Sequence, residues 1–217
     1  MKRILKELLL IVIAVLPIIY LSQIWDSLPQ TIPTHYGLDG QADKFGDKGM
    51  LLWFVPTVML LAYLLFLLAP AIDPKKRLSH ASRSFVTLRF LFGLMISVII
   101  GSYLATLSGI AHFGQVFPLI ILVFPVALGN MLPTIKPNYF IGIRTPSTLE
   151  NQDVWNKTHR FSGKLWVALG LLGIASYGIG YGSLPAYLAL AIFLVAIGGS
   201  VFYSYALYRK LSAKGTA

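Results

Sequence analysis

The sequence contains no cysteine in its 217 residues. That absence excludes a disulfide-stapled secreted module, a thiolate nucleophile, a zinc–cysteine site and an iron–sulfur cluster. Charged residues are also scarce, at 12% of the chain, whereas hydrophobic residues make up 56%. This balance excludes a disordered chain and is far from that of an ordinary soluble domain. The composition therefore predicts a membrane protein.

Apolar runs of about 20 residues recur along the chain, and each is long enough to cross the ~30 Å hydrocarbon core of a bilayer. We place six of them, at residues 4–25, 50–69, 86–108, 113–132, 164–182 and 185–207. The first run is too long for the apolar part of a signal peptide and has no small-residue cleavage site before Trp25, so we keep it as a helix. The predicted fold class is an all-α integral membrane protein with six transmembrane helices.

The basic residues lie almost entirely in alternate segments between these helices. Sixteen of the 18 lysines and arginines fall at the two termini and in the second and fourth connections. By the positive-inside rule, those segments and both termini are predicted to be cytoplasmic. The net charge of +10 is then explained by membrane orientation, so we predict membrane lipids as partners and no direct contact with nucleic acid.

Residues 26–49 form the only sizeable segment predicted on the outer side. Prolines and glycines divide it by turns, and Thr31 to Tyr36 is predicted to form a short strand in a solvated hairpin. Its aspartates lack the alternating spacing of a calcium-binding loop, so no metal site is predicted there. The four histidines of the chain are scattered over both sides of the membrane, and this also argues against a metal site.

The predicted spans carry little that could do chemistry. No acidic or basic residue lies at the centre of any span, and this weakens the case for an ion-coupled transporter. Glu7 and Arg89 fall near cytoplasmic helix ends, where we expect long side chains to extend to the interface. No hydrolase, metalloprotease or nucleotide-binding motif is present, so we predict neither a cofactor nor an enzymatic activity.

Two short segments of the chain resemble each other. Leu28 to Tyr36 and Leu132 to Tyr139 both read L-P-(x)-T-I-(x)-P-x-(x)-Y, and they leave the membrane on opposite sides of the predicted bundle. One interpretation is a 3+3 inverted repeat of helices, with a site near the interface of the halves. The other is a chance match between two proline-rich turns, and the sequence leaves both open.

The cytoplasmic segment between the fourth and fifth helices is the most informative part of the chain. Arg144 offers a planar guanidinium suited to a carboxylate or phosphate, and Asn130, Asn138 and Thr145 can complete a polar pocket beside it. Ser147 and Glu150 fit a capping box for a helix that begins near Thr148.

That helix is predicted to have two faces. One face carries Trp155, His159, Gly163 and Trp166, and the other carries Lys157, Arg160 and Lys164. One interpretation makes the tryptophans interfacial belt residues and the cations lipid anchors. The other makes the helix part of a functional site together with the segment before it.

An ordered motif runs through this region. It consists of Gly129-Asn130, Pro133, Lys136-Pro137-Asn138-Tyr139, Gly142-Ile143-Arg144-Thr145-Pro146, Thr148-Leu149, Val154-Trp155, Thr158-His159-Arg160 and Gly163. In these residues the chain resembles the SdpI family of bacterial membrane immunity proteins. One departure is Ser147, which stands where the family commonly has Trp.

A second resemblance covers the first helix and the outer segment. It rests on Leu28-Pro29, Ile32-Pro33-Thr34-His35-Tyr36 and Gly40-Gln41-Ala42-Asp43. These residues resemble a small membrane module of unknown function that often precedes the SdpI motif. The two resemblances together predict an N-terminal module at residues 1–70 and an SdpI-like four-helix region at residues 71–217, with its cytoplasmic motif at 129–164.

The resemblance implies a function and a location. It implies a non-enzymatic protein of the bacterial inner membrane that protects its host from a secreted, membrane-active peptide toxin. In the best-known system of the family, the protein also holds a transcriptional repressor at the membrane and so induces its own operon. Two alternatives remain open from the sequence, a small transporter or flippase for a peptide or lipid, and a pure signalling scaffold.

We take two groups of residues as candidate functional sites. The cytoplasmic cluster consists of Asn130, Lys136, Asn138, Tyr139, Arg144, Thr145, Trp155, His159 and Arg160. The outer group, which could be the first contact of a cationic toxin, consists of His35, Asp39, Asp43 and Asp47.

Overall fold

A computed structural model describes residues 2–37, 40–72, 82–179 and 186–213 of the chain. In chain order its elements are α1 (Lys2–Ile24), β1 (Thr31–Tyr36), β2 (Ala42–Asp47), α2 (Leu51–Ile72), α3 (Arg83–Leu107), α4 (Phe113–Met131), α5 (Pro146–Glu150), α6 (Gln152–Ile179) and α7 (Ala186–Ser212). Within these ranges, six helices are long and apolar enough to cross a membrane. The predicted fold class is confirmed. The orientation of the termini and the inverted repeat stay predictions, and so does the domain boundary at residue 70.

The surface of the bundle is apolar because the helices face hydrocarbon. Trp53 is 79% exposed and Phe202 is 72% exposed, and many leucines of α1, α2 and α7 are exposed as well. In water such a surface would drive aggregation, whereas in a bilayer it carries no penalty and the backbone satisfies its hydrogen bonds within each helix.

The six long helices pack as two groups of three. Helices α1, α2 and α3 share one core, whose buried residues are Leu21, Leu28, Ile32, Leu51, Val55, Met59, Ile100 and Leu104. Helices α4, α6 and α7 pack together in the second group, and α3 joins the groups by packing against α4. The α4–α6 crossing is close because Gly129 and Gly163 meet there. A Cβ added to Gly163 would lie 2.6 Å from the Gly129 carbonyl oxygen.

Strands β1 and β2 pair antiparallel and form the outer hairpin, residues 31–47. The predicted strand from Thr31 to Tyr36 is confirmed. The hairpin is only partly solvated, because Ile32 is fully buried in the core of the first helix group. The Tyr103 hydroxyl of α3 donates a 2.6 Å hydrogen bond to the Pro33 carbonyl and fixes the hairpin onto the helices.

The predicted capping box of Ser147 and Glu150 is wrong. Thr145 is instead the N-cap of α5, and its side chain and that of Thr148 form the reciprocal pair of hydrogen bonds. Pro146 explains the shift of the N-cap by two residues, because proline is favoured at the first position of a helix, directly after the N-cap. The fifth spanning helix is also longer than predicted, since α6 begins at Gln152 and not at residue 164.

Glu7 and Arg89 do not extend separately to the interface as we expected. The Arg89 guanidinium donates two hydrogen bonds, of 2.8 and 2.7 Å, to the two carboxylate oxygens of Glu7. Arg89 is only 3% exposed, so this ion pair is largely enclosed between α1 and α3. Because each side chain has a charged partner on the other helix, neither has to extend to water. The pair was not recognisable in the sequence, since 82 positions separate the two residues.

Candidate functional site

The inner loop, residues 135–145, connects α4 to α5 at the end of the bundle that is predicted to be cytoplasmic. Its centre is held by Asn138, which is buried. The Asn138 amide nitrogen donates to the carbonyls of Lys136 and Ile141, and its oxygen accepts from the backbone N–H groups of Phe140 and Ile141. All four hydrogen-bonding positions of the side chain are therefore used within the loop, and Asn138 has no capacity left for a ligand.

Two aromatic side chains of α6 contact the inner loop from the interior of the bundle and support it. The Trp155 indole N–H donates a 2.8 Å hydrogen bond to the Ile135 carbonyl. The His159 Nε2 atom accepts a 3.0 Å hydrogen bond from the Ile143 backbone N–H, and Nδ1 lies 2.8 Å from the Trp155 carbonyl. The two rings stack with centroids 4.1 Å apart. The hydrogen bonds assign a neutral imidazole with its proton on Nδ1.

Gly142 allows the loop to pass over the histidine. Its φ of +111° lies in the region that glycine adopts without strain. A Cβ at this position would lie 2.3 Å from His159 Nε2, which is closer than any real contact. The glycine was part of the motif in the sequence, but its role was not recognisable there, because the ring that it touches lies 17 residues further along the chain.

Trp155 and Trp166 are not interfacial belt residues. Trp155 is fully buried and Trp166 is 9% exposed. The Trp166 indole N–H lies 3.1 Å from the Ala196 carbonyl and 3.0 Å from the Ser200 hydroxyl, so it joins α6 to α7. The aromatic face of the predicted helix therefore packs against protein, and only its basic face is exposed.

Thr145 ties the end of the inner loop to the last helix. Besides capping α5, its hydroxyl lies 3.0 Å from the hydroxyl of Ser204 in α7. The Tyr208 hydroxyl of the same helix donates a 3.0 Å hydrogen bond to a Glu150 carboxylate oxygen. These contacts fix α5 against α7.

The remaining members of the cytoplasmic cluster lie at the surface. These exposed residues are Asn130, Lys136, Tyr139, Arg144 and Arg160. Arg144 donates to the Tyr139 carbonyl, which orients its guanidinium along the outside of the inner loop. The structure thus brings Asn138, Trp155 and His159 together as supports of the loop. It does not assemble Asn130, Asn138, Arg144 and Thr145 into one polar pocket, because Asn138 and Thr145 are bonded within the protein.

Some residues of the outer group form hydrogen bonds within or beside the hairpin. Asp43 lies 2.6 Å from His35 Nδ1, and this hydrogen bond lowers the pKa of the Asp43 carboxyl below its ordinary value. Asp47 accepts from the Gly49 backbone N–H and from the Gln30 amide, each at 2.6 Å. Asp39 lies outside the residues that the structure describes.

A cleft, the outer cleft, opens beneath the hairpin at the end of the bundle that is predicted to face outward. It has a volume of about 590 Å³ and lies between the strand β1 and helices α2, α3 and α4. Its wall combines aliphatic side chains with aromatic ones, and the aromatic ones include Tyr36, Phe54, Tyr103, Phe113 and Phe117. Across the described part of the chain, no three histidine, aspartate or glutamate side chains come together in a way that could hold a metal ion.

Comparison with known proteins gives two family matches and a similarity to one curated protein. Residues 134–204 match the SdpI/YfhL protein family, and residues 12–60 match a domain of unknown function (DUF1648). The chain is 27% identical over 210 residues to the immunity protein SdpI of Bacillus subtilis (strain 168). That alignment covers 95% of this chain and 98% of the relative. No solved structure matches.

Proposed function

From the premise that this chain belongs to the SdpI/YfhL family and is a multi-pass bacterial membrane protein, we propose that it is a non-enzymatic immunity protein. It protects its host from a secreted, membrane-active peptide toxin. The observation that carries the proposal is the similarity to an immunity protein over nearly the whole length of both chains. The similarity thus includes the outer hairpin, the inner loop and all six spans.

We propose that the toxin binds in the outer cleft. A membrane-active peptide concentrates at the bilayer surface with its apolar face buried, which brings aromatic and aliphatic side chains to the level of this cleft. Its wall of Phe54, Phe113 and Phe117 suits such side chains. Asp43 and Asp47 already bond within the hairpin, so their negative charge would attract a cationic peptide from a distance while the cleft supplies the contact.

The inner loop is the place where we propose that the protein contacts a cytoplasmic partner, such as a transcriptional repressor. Lys136, Arg144 and Arg160 present positive charge at this end, and Tyr139 adds an exposed aromatic ring. Buried supports hold the loop in one shape, so these side chains form a preorganised surface. It complements an acidic patch on a soluble protein.

A survival assay tests the proposed immunity. A sensitive bacterium would express the wild-type chain, Arg144→Ala or the control Lys164→Ala, which removes an exposed cation of α6 outside the inner loop. Cells would face a dose series of membrane-depolarising peptides, with protein abundance in the membrane measured by immunoblot. Wild type and Lys164→Ala should raise survival, and Arg144→Ala should lose at least part of that protection.

The same strains separate the alternatives. No protection by the wild-type chain at normal abundance would overturn the proposal of immunity. Energy-dependent efflux of the peptide from vesicles would favour the transporter instead. Photo-cross-linking from position 139 in living cells should capture a cytoplasmic protein, and the same probe at the exposed Asn156 of α6 serves as the control. Equal capture from both positions would argue against a specific partner surface.

A further inference from the structure

A second cleft lies at the inner end of the bundle, under the inner loop. It has a volume of about 380 Å³ and is almost entirely apolar. Its walls come from α2, α3, α4, α6 and the inner loop, and include Phe66, Phe92, Met131, Ile143 and Trp166. Neither family match assigns a role to this inner cleft.

The inner cleft is open towards the membrane. Helix α2 packs mainly against α1 and α3, which leaves a gap between its second half and α4. Leu65 of α2 lines the cleft and is 62% exposed, so the gap reaches the lipid-facing surface of the bundle. An apolar opening at this depth does not hold water well, because water there would find almost no polar partners. The hydrocarbon chains of the surrounding lipid are therefore the material that fills the cleft.

A polar compartment continues the inner cleft towards the cytoplasm. The two spaces share the lining residues Phe85, Ile135 and Ile141. The compartment has a volume of about 90 Å³, and its polar lining consists of Ser82, Ser84, Thr134, Lys136 and Asn138. Among the described residues of this lining, Lys136 is the one cation and none is a carboxylate. The compartment therefore favours a negatively charged group.

We propose that the inner cleft and its polar compartment bind one anionic phospholipid of the inner leaflet. An acyl chain fills the apolar cleft. The headgroup phosphate lies in the compartment beside Lys136 and Ser82. The Ser84 hydroxyl donates to the Thr134 carbonyl and the Thr134 hydroxyl donates to the Met131 carbonyl, so these two groups shape the compartment and Lys136 supplies the attraction. Basic pockets between membrane helices on the cytoplasmic side recognise anionic lipid headgroups by this chemistry.

The opening of the cleft favours an acyl chain as the occupant. Leu65 lines the cleft and is exposed on the lipid-facing surface, so the acyl chains of the bilayer lie directly beside the opening. The inference stands apart from the proposed immunity, since it requires neither a toxin nor a regulator.

The bound lipid would act on the loop that carries the partner surface. Ile135, Phe140, Ile141 and Ile143 of the inner loop line the cleft, so an acyl chain beneath them fills the space under the loop. The lipid thereby couples the composition of the inner leaflet to the order of the loop. We expect the loop to be better protected in a membrane rich in anionic lipid.

Native mass spectrometry of the full chain in mild detergent tests the proposal. The protein would be titrated with phosphatidylglycerol, with phosphatidylcholine and with inorganic phosphate alone. We expect one phosphatidylglycerol to be retained in preference to phosphatidylcholine, with no competition from inorganic phosphate. Lys136→Gln should weaken the retention about fivefold, since a cation near a lipid headgroup contributes ~1 kcal/mol. Lys164→Gln, which removes a cation outside the compartment, should change nothing.

A second pair of variants tests the apolar part. Ala62→Phe places a ring in the cleft and should abolish the retained lipid, whereas Leu61→Phe enlarges an exposed side chain of the same helix and should not. If a variant fails to fold, phosphatidylglycerol with a photoreactive group in its acyl chain still tests the wild-type protein. Cross-links should map to α2 and α3 around Phe66 and Phe92. Cross-links spread evenly over the bundle, or equal retention of the two lipids, would overturn the proposal.

Discussion

The Nε2 atom of His159 accepts a 3.0 Å hydrogen bond from the backbone N–H of Ile143, and this bond links α6 to the inner loop. The contact joins an aromatic pair in the core to the segment that carries the exposed cations. It is a structural use of histidine, since both ring nitrogens are occupied by backbone partners. The surface function of the loop thus depends on a buried ring that does not itself reach the surface.

Replacing His159 should loosen the inner loop. His159→Ala leaves the Ile143 N–H buried without an acceptor, and an unsatisfied buried donor costs about 1–3 kcal/mol. We expect the amides of residues 139–143 to exchange faster with deuterium and the melting temperature in detergent to fall. Arg160→Ala removes the neighbouring exposed side chain and should leave both unchanged. Equal exchange in the two variants would show that the histidine does not hold the loop.

Gly142 gives an independent test of the same contact. Gly142→Ala introduces both a strained backbone and a collision with the His159 ring, whereas Gly109→Ala introduces the strain alone. Gly109 has a φ of +76° and no atom within 4 Å of its added Cβ, so it serves as the matched control. Backbone strain of this kind costs about 1–3 kcal/mol. We expect thermal unfolding to show a clearly larger loss for Gly142→Ala.

A double variant separates the collision from the strain at Gly142. Adding His159→Ala to Gly142→Ala removes the ring that the new Cβ meets. The two losses in stability should therefore combine to less than their sum. Strict additivity would mean that the loop moves away from the ring at no cost.

The spans could be predicted from the sequence because length and hydropathy are local properties. The strand from Thr31 was also visible, since its turns lie beside it. The residues that support the inner loop could not be predicted, because an aromatic face on a helix has the same sequence pattern whether it packs against lipid or against a loop of the same protein. Trp155 was therefore open to interpretation as a membrane anchor, although its partner Ile135 lies only 20 residues away. Likewise, two capping boxes fit the segment after Arg144, and Pro146 favours the earlier one.

The Glu7–Arg89 pair should hold α1 against α3. Removing one partner of a largely buried ion pair leaves the other charge uncompensated, which costs about 3–5 kcal/mol. We expect Glu7→Gln to lower the melting temperature strongly and Arg89→Met to do so as well. The double variant should recover much of the loss, because it leaves no unpaired charge. Arg83→Met, at the exposed start of α3, is the control. A double variant as unstable as the worse single variant would contradict this account.

The His35–Asp43 contact should be visible as a pH effect on the outer hairpin. The pKa of Asp43 is lowered chiefly by the hydrogen bond from His35, and only slightly by the charge of Lys44. A carboxyl whose pKa is lower in the folded state stabilises that state above its unfolded pKa, and the contribution is lost as the pH falls through the folded value.

His35→Gln should therefore raise the pKa of Asp43 towards its ordinary value. Carbon-13 NMR titration of the carboxyl in micelles measures it. Lys44→Gln should shift it less, and a larger shift from Lys44→Gln would show that net charge dominates over the hydrogen bond.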